Sequence, residues 1–344
     1  MSSQDIENIY STKAYGETFS LPAGSKFEIF TSDKGTFQIP LVVRELENGI
    51  YTAQSPYGYP GIVANPGIEH KQHLSEWEDF IHRFKADGII HLKIKLPPFN
   101  SSQAETLSPF PFVNIHNVGE TIFVPRYSSA DDNWRAMEGR ARTSVRKAQN
   151  NHLRADISTY SAEDTLPSSE FRRLYENTMS RKEANSFYFF DDYYFQKLGT
   201  NLNQQILKII VRDGKGLAVA GCLVLVDNFA AHYHLSGSTF EGARLGANNL
   251  MLWTLIEFVS NSTLSGSHLG GGMQKDDPLY KFKKSFGGIS LPFQIASIVT
   301  NEIMYRNLTL KRAEQLKLSL SQIQAAGYFP AFETPDNFAE IYVN

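Results

Sequence analysis

A short helix that carries lysines and follows a run of glycines is the part of this sequence best suited to chemistry. The run is His268-Leu269-Gly270-Gly271-Gly272, and backbone without side chains can come close to a ligand. Asp277 and Pro278 have the residue types favoured at the N-cap and the first helical position. A helix is therefore predicted to begin at Pro278 and to end near the glycine pair 287–288.

The apolar positions of this helix indicate which lysine lies at the site. We expect Lys283 at the edge of the buried face, and Lys281 and Lys284 in water. A lysine in a partly dry position can bind an anionic group or stabilise a developing negative charge, so the segment suggests acyl transfer. The alternative is that all three lysines are solvated helix charges. The residues predicted to form the buried face recur at spacings of three and four: Leu279, Phe282 and Phe286.

Composition narrows the class of protein. At 344 residues, with 42% hydrophobic residues, the chain is long enough for two globular domains. A net charge of −3 argues against a protein that coats nucleic acid. The single cysteine fits a reducing compartment, and neither a membrane span nor a signal peptide is evident, so a cytoplasmic location is expected.

The first part of the chain indicates mixed α/β structure. Residues 37–44 and 50–54 are strand-like and flank a turn, which predicts a hairpin. The segment 55–61 contains two prolines and two glycines and should be an irregular loop, either lining a pocket or forming a surface turn. A helix over 75–86 and a half-buried strand over 89–96 are predicted to follow.

A basic amphipathic helix is predicted over residues 131–151, with its arginines outside the apolar stripe. Arg142 and Arg146 are candidates for binding phosphate or carboxylate groups, and a solvated helix that packs through its stripe is the alternative. The aromatic tail from Tyr328 to Tyr342 is expected to pack on the second domain or on a partner.

Strands at residues 206–212, 217–226 and 229–235 predict an antiparallel meander in the second half. With a two-residue loop at Asp227-Asn228, Cys222 would face Tyr233, and the histidines 232 and 234 would lie on the other face. A Cys–His nucleophilic pair is therefore disfavoured, and Cys222 is interpreted as a buried apolar residue. The two histidines have the spacing of zinc ligands on a strand, but no third ligand is evident, and no metal is expected.

An ordered set of motifs resembles the Fem-type branch of the GNAT acyltransferase superfamily over about residues 35 to 300. The motifs are Ser55-Pro56-Tyr57-Gly58-Tyr59-Pro60-Gly61, Arg142-Thr143-Ser144-Val145-Arg146-Lys147-Ala148, Tyr175-Glu176-Asn177-Thr178-Met179-Ser180-Arg181, Phe187-Tyr188-Phe189-Phe190, His232-Tyr233-His234-Leu235-Ser236-Gly237-Ser238 and the run from Leu279 to Gly288. Each motif alone is loose, so the specificity comes from their order.

The resemblance implies an α/β fold with mixed sheets, in which two tandem GNAT-like domains enclose a cleft. The implied domains are residues 1–130 and 153–300, with 131–152 as a connecting basic helix and 301–344 as a C-terminal helix and tail packed on the core. The implied catalytic residues are Lys283, Phe282 and Tyr233. The implied substrate-binding residues are Tyr57, Gly58, Arg142, Arg146, Arg181 and Tyr188.

The resemblance also implies transfer of an aminoacyl or acyl group from an activated carrier to an amine, in cell-wall or cell-envelope polymer biosynthesis. The carrier would be aminoacyl-tRNA or acyl-CoA, with no tightly bound cofactor. The partners would be a small-molecule or peptidoglycan-precursor acceptor and tRNA, without DNA, and a lipid-linked acceptor would bring the chain to a membrane surface. The sequence lacks the long heptad segment of the larger Fem proteins, which puts the tRNA donor in doubt. The alternatives are a CoA-dependent N-acyltransferase of a polysaccharide pathway and a non-catalytic ligand-binding relative.

Overall fold

The apolar patterns of the sequence become strands and helices in a computed structural model that describes residues 8–64, 70–99, 102–272 and 277–336. The strands are β1 (Ser25–Thr31), β2 (Phe37–Glu47), β3 (Ile50–Gln54), β4 (Val63–Ala64), β5 (Ile89–Lys95), β6 (Val113–Pro125), β7 (Arg154–Thr159), β8 (Ile206–Arg212), β9 (Ala218–Val226), β10 (Ala230–Ser238), β11 (Gly266–Gly271) and β12 (Ile289–Val299). The helices are α1 (Lys13–Gly16), α2 (His70–Ala86), α3 (Ser102–Leu107), α4 (Ala130–Ala136), α5 (Gly139–Asn150), α6 (Glu170–Arg181), α7 (Asp192–Lys197), α8 (Phe240–Leu245), α9 (Ala247–Ser260), α10 (Pro278–Lys284), α11 (Glu302–Leu316) and α12 (Leu320–Ala325).

The internal contacts divide the chain into two units, each built from separate stretches of sequence. The first unit contains Leu21–Val118 and Gln294–Asn344, and the second contains Ile6–Ser20 and Gly119–Phe293. The predicted domains were continuous segments, whereas here an N-terminal stretch of the chain belongs to the second unit and the C-terminal stretch belongs to the first. Strand pairing explains one exchange, because Ile295–Val299 pairs antiparallel with β5 of the first unit. Hydrogen bonding explains the other, because the backbone N–H of Ile9 donates to Asp227 Oδ2 over 3.1 Å.

A mixed sheet forms the first unit. β1 pairs with β2 and β2 with β3 in antiparallel fashion, β3 pairs with β5 in parallel, and β5 pairs with β12. The predicted hairpin at β2 and β3 is confirmed, with Asn48 and Gly49 both at positive φ in its turn. One face of the sheet packs on α2 in an aromatic-rich core that includes Trp77, Phe80 and Phe84.

The C-terminal part of the first unit packs on the opposite face of its sheet. Tyr305 on α11, Phe329 and Phe332 surround the buried ring of His91 with centroid distances of 6.2, 5.3 and 5.4 Å. The tail thus belongs to the first unit as far as Asp336, whereas the second domain and a partner were the two alternatives expected. The rest of the predicted tail, including Tyr342, lies outside the described residues.

The second unit has a second mixed sheet. The meander of β8, β9 and β10 is antiparallel, as the sequence predicted. β7, which was not predicted, pairs antiparallel with β8, while β10 pairs with β11 in parallel and β11 pairs with β6. Helix α9 packs on this sheet, and α5 packs against α9. The buried residues of α9 include Met251, Leu255 and Ile256.

The predicted register of the β9–β10 hairpin is wrong by several residues. Asp227 closes the turn with Ala230, because its backbone N–H donates to the Ala230 carbonyl and its Oδ1 accepts from the Ala230 N–H. The loop is therefore Asn228-Phe229, and the paired residues after the β-bulge bring Cys222 opposite Ser236 instead of Tyr233. Cys222 is fully buried, as interpreted from the sequence.

The predicted single basic helix is also wrong, because the structure breaks it into α4 and α5. Met137 and Glu138 have extended backbone between the two helices. The guanidinium group of Arg142 donates to the carbonyl oxygens of Arg135, at 3.1 Å, and of Met137, and so satisfies the end of α4. Both helices lie in the second unit and contact α9.

Candidate active site

Local sequence fixes the start of α10 as predicted. Asp277 Oδ1 accepts a hydrogen bond of 2.6 Å from the backbone N–H of Tyr280, and Pro278 occupies the first turn. The predicted buried face needs one correction, because Leu279 is 42% exposed. Tyr280 is buried instead, and its hydroxyl group donates to Glu120 Oε2 at 2.6 Å and contacts Ser290 Oγ at 2.6 Å. These polar partners on other elements explain why the tyrosine turns inward.

Lys283 is the buried lysine of this helix, with 7% of its surface exposed. Its Nζ donates to the carbonyl oxygen of Gly271 at 2.7 Å and lies 5.6 Å from the centre of the Tyr233 ring. Burial lowers the pKa of Lys283 to about 8, although Asp277 opposes the change. Lys281 and Lys284 are exposed, as predicted.

Glycine is required where β11 ends beside this helix. A Cβ atom at Gly272 would lie 2.5 Å from Asp277 Oδ1, so a side chain there would displace the residue that caps α10. Gly270 has φ of +69°, a conformation that residues with side chains rarely adopt. The glycines therefore place the Gly271 carbonyl group next to Lys283.

The two parallel strands of the second unit separate close to this lysine. β10 and β11 pair only from Ala230–Gly266 to His232–His268. A β-bulge follows on each strand, between Tyr233 and Leu235 and between His268 and Gly270. Bulges redirect side chains and end pairing, so both strands turn apart at the histidine pair. After His268, β11 is therefore no longer hydrogen-bonded to β10.

A buried polar chain, which the sequence did not predict, lies where the strands separate. Asp227 Oδ2 is 2.9 Å from His232 Nε2, and His232 Nδ1 is 3.4 Å from His268 Nδ1. Burial lowers the pKa of His268 well below its usual value, with further contributions from His232 and Lys283. His268 is separated from His232 by 36 residues in sequence, so only the parallel pairing of β10 with β11 reveals the contact.

Tyr233 lies on the opposite side of β10 from this chain. It packs against the apolar cluster that contains Cys222 and Phe286, and Phe282 packs against the same cluster. Burial raises the pKa of the Tyr233 phenol above its usual value, so the hydroxyl group is protonated at neutral pH. The structure thus brings together the three predicted catalytic residues, Lys283, Phe282 and Tyr233, in one part of the second unit.

The three predicted arginines make local contacts in the second unit. Arg142 bonds to the carbonyl groups at the end of α4, and the guanidinium group of Arg146 lies 5.3 Å from the Trp134 ring centre. Arg181 Nη2 donates to the Ser238 carbonyl oxygen at 2.9 Å, at the end of β10. The predicted role of these residues in substrate binding remains a prediction.

The remaining predicted residues are Tyr188 in the second unit and Tyr57 and Gly58 in the first unit. Tyr188 is 39% exposed, and its carbonyl oxygen accepts a hydrogen bond of 2.6 Å from the Tyr175 hydroxyl group. Tyr57 and Gly58 belong to the first unit, in the irregular segment between β3 and β4, and Gly58 has φ of +95°. Their binding roles also remain predictions.

Within the described ranges, no group of three or more His, Cys, Asp or Glu side chains is arranged to hold a metal ion. Among the helices that the structure describes, none has both the length and the apolar character needed to cross a bilayer.

Comparison with known proteins identifies the fold. Residues 139–284, which contain Arg142, Tyr233 and Lys283, match the family model of the acetyltransferase (GNAT) domain. No curated protein sequence matches the chain. The crystal structure of FemX has a TM-score of 0.68 at 14% identity, over 88% of this chain and 95% of that chain.

Two further structures are similar. L-PGS from Bacillus licheniformis has a TM-score of 0.55 at 12% identity, over 80% of this chain and 85% of that chain. A conserved protein of unknown function from Bacteroides thetaiotaomicron VPI-5482 has a TM-score of 0.52 at 10% identity, over 83% and 88% of the two chains.

The chain therefore has a GNAT-type acyltransferase fold, and the predicted mixed α/β class is confirmed. The fold resembles that of FemX over 88% of the chain, which extends beyond the matched GNAT segment. At these identities the likeness establishes the fold, while donor, acceptor and reaction belong to the proposal that follows.

Proposed function

We propose that this protein is an acyltransferase that moves an acyl or aminoacyl group from an activated carrier to an amine. The observation that carries the proposal is the buried Lys283 beside the Gly271 carbonyl group, where β10 and β11 separate. A cation held in a dry position by a fixed backbone is suited to stabilise negative charge that develops during reaction. The GNAT match over residues 139–284 supports the same reaction class.

The proposed reaction is addition of the amine to the carbonyl carbon of a thioester, followed by loss of the thiolate. A C–N bond forms, the C–S bond breaks, and the amine proton passes to the leaving sulfur, directly or through water. Lys283 stabilises the oxyanion of the tetrahedral intermediate. The protonated phenol of Tyr233, near Lys283, is a candidate to relay this proton, because it can give its own proton to the leaving sulfur and take up the proton that the amine loses. Phe282 helps to keep water from the site by packing against the core.

Acyl-CoA is the donor that we favour, because the matched segment is described as an acetyltransferase domain. Aminoacyl-tRNA is the second carrier to test, since the resemblance in sequence to the Fem-type branch suggested it. For the acceptor we propose an amine on a precursor of a cell-envelope polymer, with the predicted arginines, Tyr57, Gly58 and Tyr188 as substrate-binding residues. This choice rests on the Fem-like fold over most of the chain.

A thermal-shift screen of the full chain, followed by a product assay, tests the proposal. The ligands are acetyl-CoA and longer acyl-CoA esters, charged tRNA, and UDP-linked peptidoglycan precursors. A donor that binds only the folded state, present at a concentration of about a hundred times its Kd, should stabilise that state by about 2.7 kcal/mol. Donors that stabilise the protein are then incubated with amines, and the free thiol or uncharged tRNA and the acylated product are quantified.

The outcomes separate the candidate classes. Stabilisation by acyl-CoA with thiol release supports a CoA-dependent N-acyltransferase, and product from charged tRNA alone assigns the carrier to tRNA. Stabilisation by a ligand without product from any donor would identify a non-catalytic binding protein and overturn the proposal.

A further inference from the structure

One face of the first unit's sheet carries polar side chains in a row. Leu92 and Ile94 of β5 belong to the apolar core with α2, and side chains alternate along a strand, so Lys93 and Lys95 lie on the other face. Ser297 of β12 is the register partner of Lys93, and its neighbours Ala296 and Ile298 belong to the same core. Ser297 therefore shares the face with the two lysines.

Neither lysine has a negatively charged partner among the described residues. Lys95 Nζ donates to the Pro56 carbonyl oxygen at 3.1 Å, which uses one of the three donors of its ammonium group. Burial lowers the pKa of Lys95 to about 8, and the positive charge of Lys93 adds to the effect. Both side chains are half-buried, and a partly desolvated cation without a counter-ion is less favourable than one that an anion joins.

Ser297 supplies an independent sign of a missing partner. It is 4% exposed, and its Oγ has no hydrogen-bond partner within the part of the chain that the structure describes. Buried hydroxyl groups are nearly always hydrogen-bonded, and an exception needs an explanation. A ligand that accepts a hydrogen bond from Ser297 and pairs with the lysines would satisfy all three groups.

The loop over Lys95 is fixed by backbone bonds to β5. Ser55 N–H donates to the Lys93 carbonyl oxygen at 2.9 Å, Lys95 N–H donates to Ser55 Oγ at 3.0 Å, and Gly61 N–H donates to the Lys95 carbonyl oxygen at 2.9 Å. Gly61 has φ of +62°, and a Cβ there would overlap the ring of Pro97. The backbone that carries Lys95 and the Pro56 carbonyl group that its ammonium group contacts are therefore held in place before any ligand arrives, which lowers the entropic cost of binding.

We propose that Lys95, Lys93 and Ser297 form an anion-binding site on the first unit for a phosphate or carboxylate group. Two cations favour a doubly charged phosphate over a carboxylate. The assignment of this anion to the acceptor of acyl transfer rests on the proposed function, whereas the site itself does not.

Isothermal titration of the full chain with inorganic phosphate, at constant ionic strength, tests the site, and acetate provides the carboxylate comparison. We expect saturable phosphate binding, weaker acetate binding, and a loss of phosphate affinity of about 10- to 100-fold in Lys95→Met and Lys93→Met. Ser297→Ala should lose about three- to tenfold. Lys26→Met is the matched control, because this exposed lysine of the same unit is already paired with Glu28 at 2.8 Å.

The thermal stability of the ligand-free variants distinguishes a binding lysine from a structural one. Removing a half-buried charge that has no counter-ion should leave the Tm of Lys95→Met equal to or above that of the wild type. Lys93→Met provides the affinity test if Lys95→Met does not fold. The proposal would be overturned if the wild type did not bind phosphate, or if Lys93→Met bound it as tightly as the wild type. It would also be overturned if Lys26→Met lost as much phosphate affinity as the site variants. Because no donor or product is involved, failure of the acyltransferase proposal would leave this result unaffected.

Discussion

The ammonium group of Lys283 lies 5.6 Å from the centre of the Tyr233 ring, although the two residues are 50 positions apart in sequence. The contact joins the helix after β11 to the strand before α8, and both residues pack against the apolar core of the second unit. A phenol that stays protonated and an ammonium group that is partly desolvated thus lie close together. Their proximity supports a common role in one chemical step.

The first prediction concerns this lysine. Lys283→Ala should lower turnover by about tenfold to a thousandfold, because it removes an electrostatic donor to the oxyanion. Lys281→Ala, on the exposed side of the same helix, should have little effect. Single-turnover product formation measures the chemical step directly. Unchanged turnover in a folded Lys283→Ala variant would exclude the lysine from the mechanism.

The second prediction separates the two roles of Asp277. It caps α10 through the Tyr280 N–H, and its charge opposes the lowering of the Lys283 pKa. Asp277→Ala should reduce the free energy of unfolding by about 0.5–2 kcal/mol, whereas Asp277→Asn should retain most of it, because asparagine also caps helices. Both variants should lower the pKa of Lys283 further. Urea unfolding and NMR titration of the Lys283 ammonium group measure the two effects, and equal destabilisation by both substitutions would contradict the capping role.

The third prediction is that the stability of the protein falls in mild acid because His91 is buried in its neutral form. Burial lowers the pKa of His91 to about 3, whereas an unfolded histidine titrates near 6.5. Between these values the unfolded state binds more protons, so the free energy of unfolding decreases as the pH falls from 6.5 towards 3. One such histidine contributes a slope of about 1.4 kcal/mol per pH unit.

Urea unfolding at several pH values between 7.5 and 4.5 tests the role of His91. His91→Phe should make the dependence shallower by about 1 kcal/mol per pH unit. His116→Gln, at an exposed position, is the control and should leave the slope unchanged. An identical slope in wild type and His91→Phe would show that other groups account for the acid sensitivity.

The fourth prediction tests the packing of α6 on β10. A Cβ atom at Gly237 would overlap the carbonyl group of Leu174 and approach Tyr175 Cα at 2.6 Å. Gly237→Ala should therefore lower the free energy of unfolding by about 1–3 kcal/mol. At Gly214 the nearest atom, His152 Cβ, would lie 3.5 Å away, so Gly214→Ala should be tolerated. Similar stabilities of the two variants in urea would contradict the close approach.

Local sequence determined the parts of the site that depend on neighbouring residues. The N-cap at Asp277, the first-turn Pro278 and the burial of Lys283 follow from residue types and helical spacing within one segment. The hairpin at Asn48-Gly49 follows in the same way, because glycine and asparagine accept positive φ with little strain. The ordered motifs also indicated the Fem-like fold that the FemX comparison supports.

Only the tertiary structure decided which distant groups meet. The β-bulge in β10 set the partner of Cys222, and the parallel pairing of β10 with β11 brought His232 to His268. The pairing of β12 with β5 placed Ser297 beside Lys93. Strand register depends on hydrogen bonds between segments far apart in sequence, and a shift of one residue reverses the face of every side chain. Residue types and spacing along one strand therefore predict which side chains share a face, but not which side chains of another strand they meet.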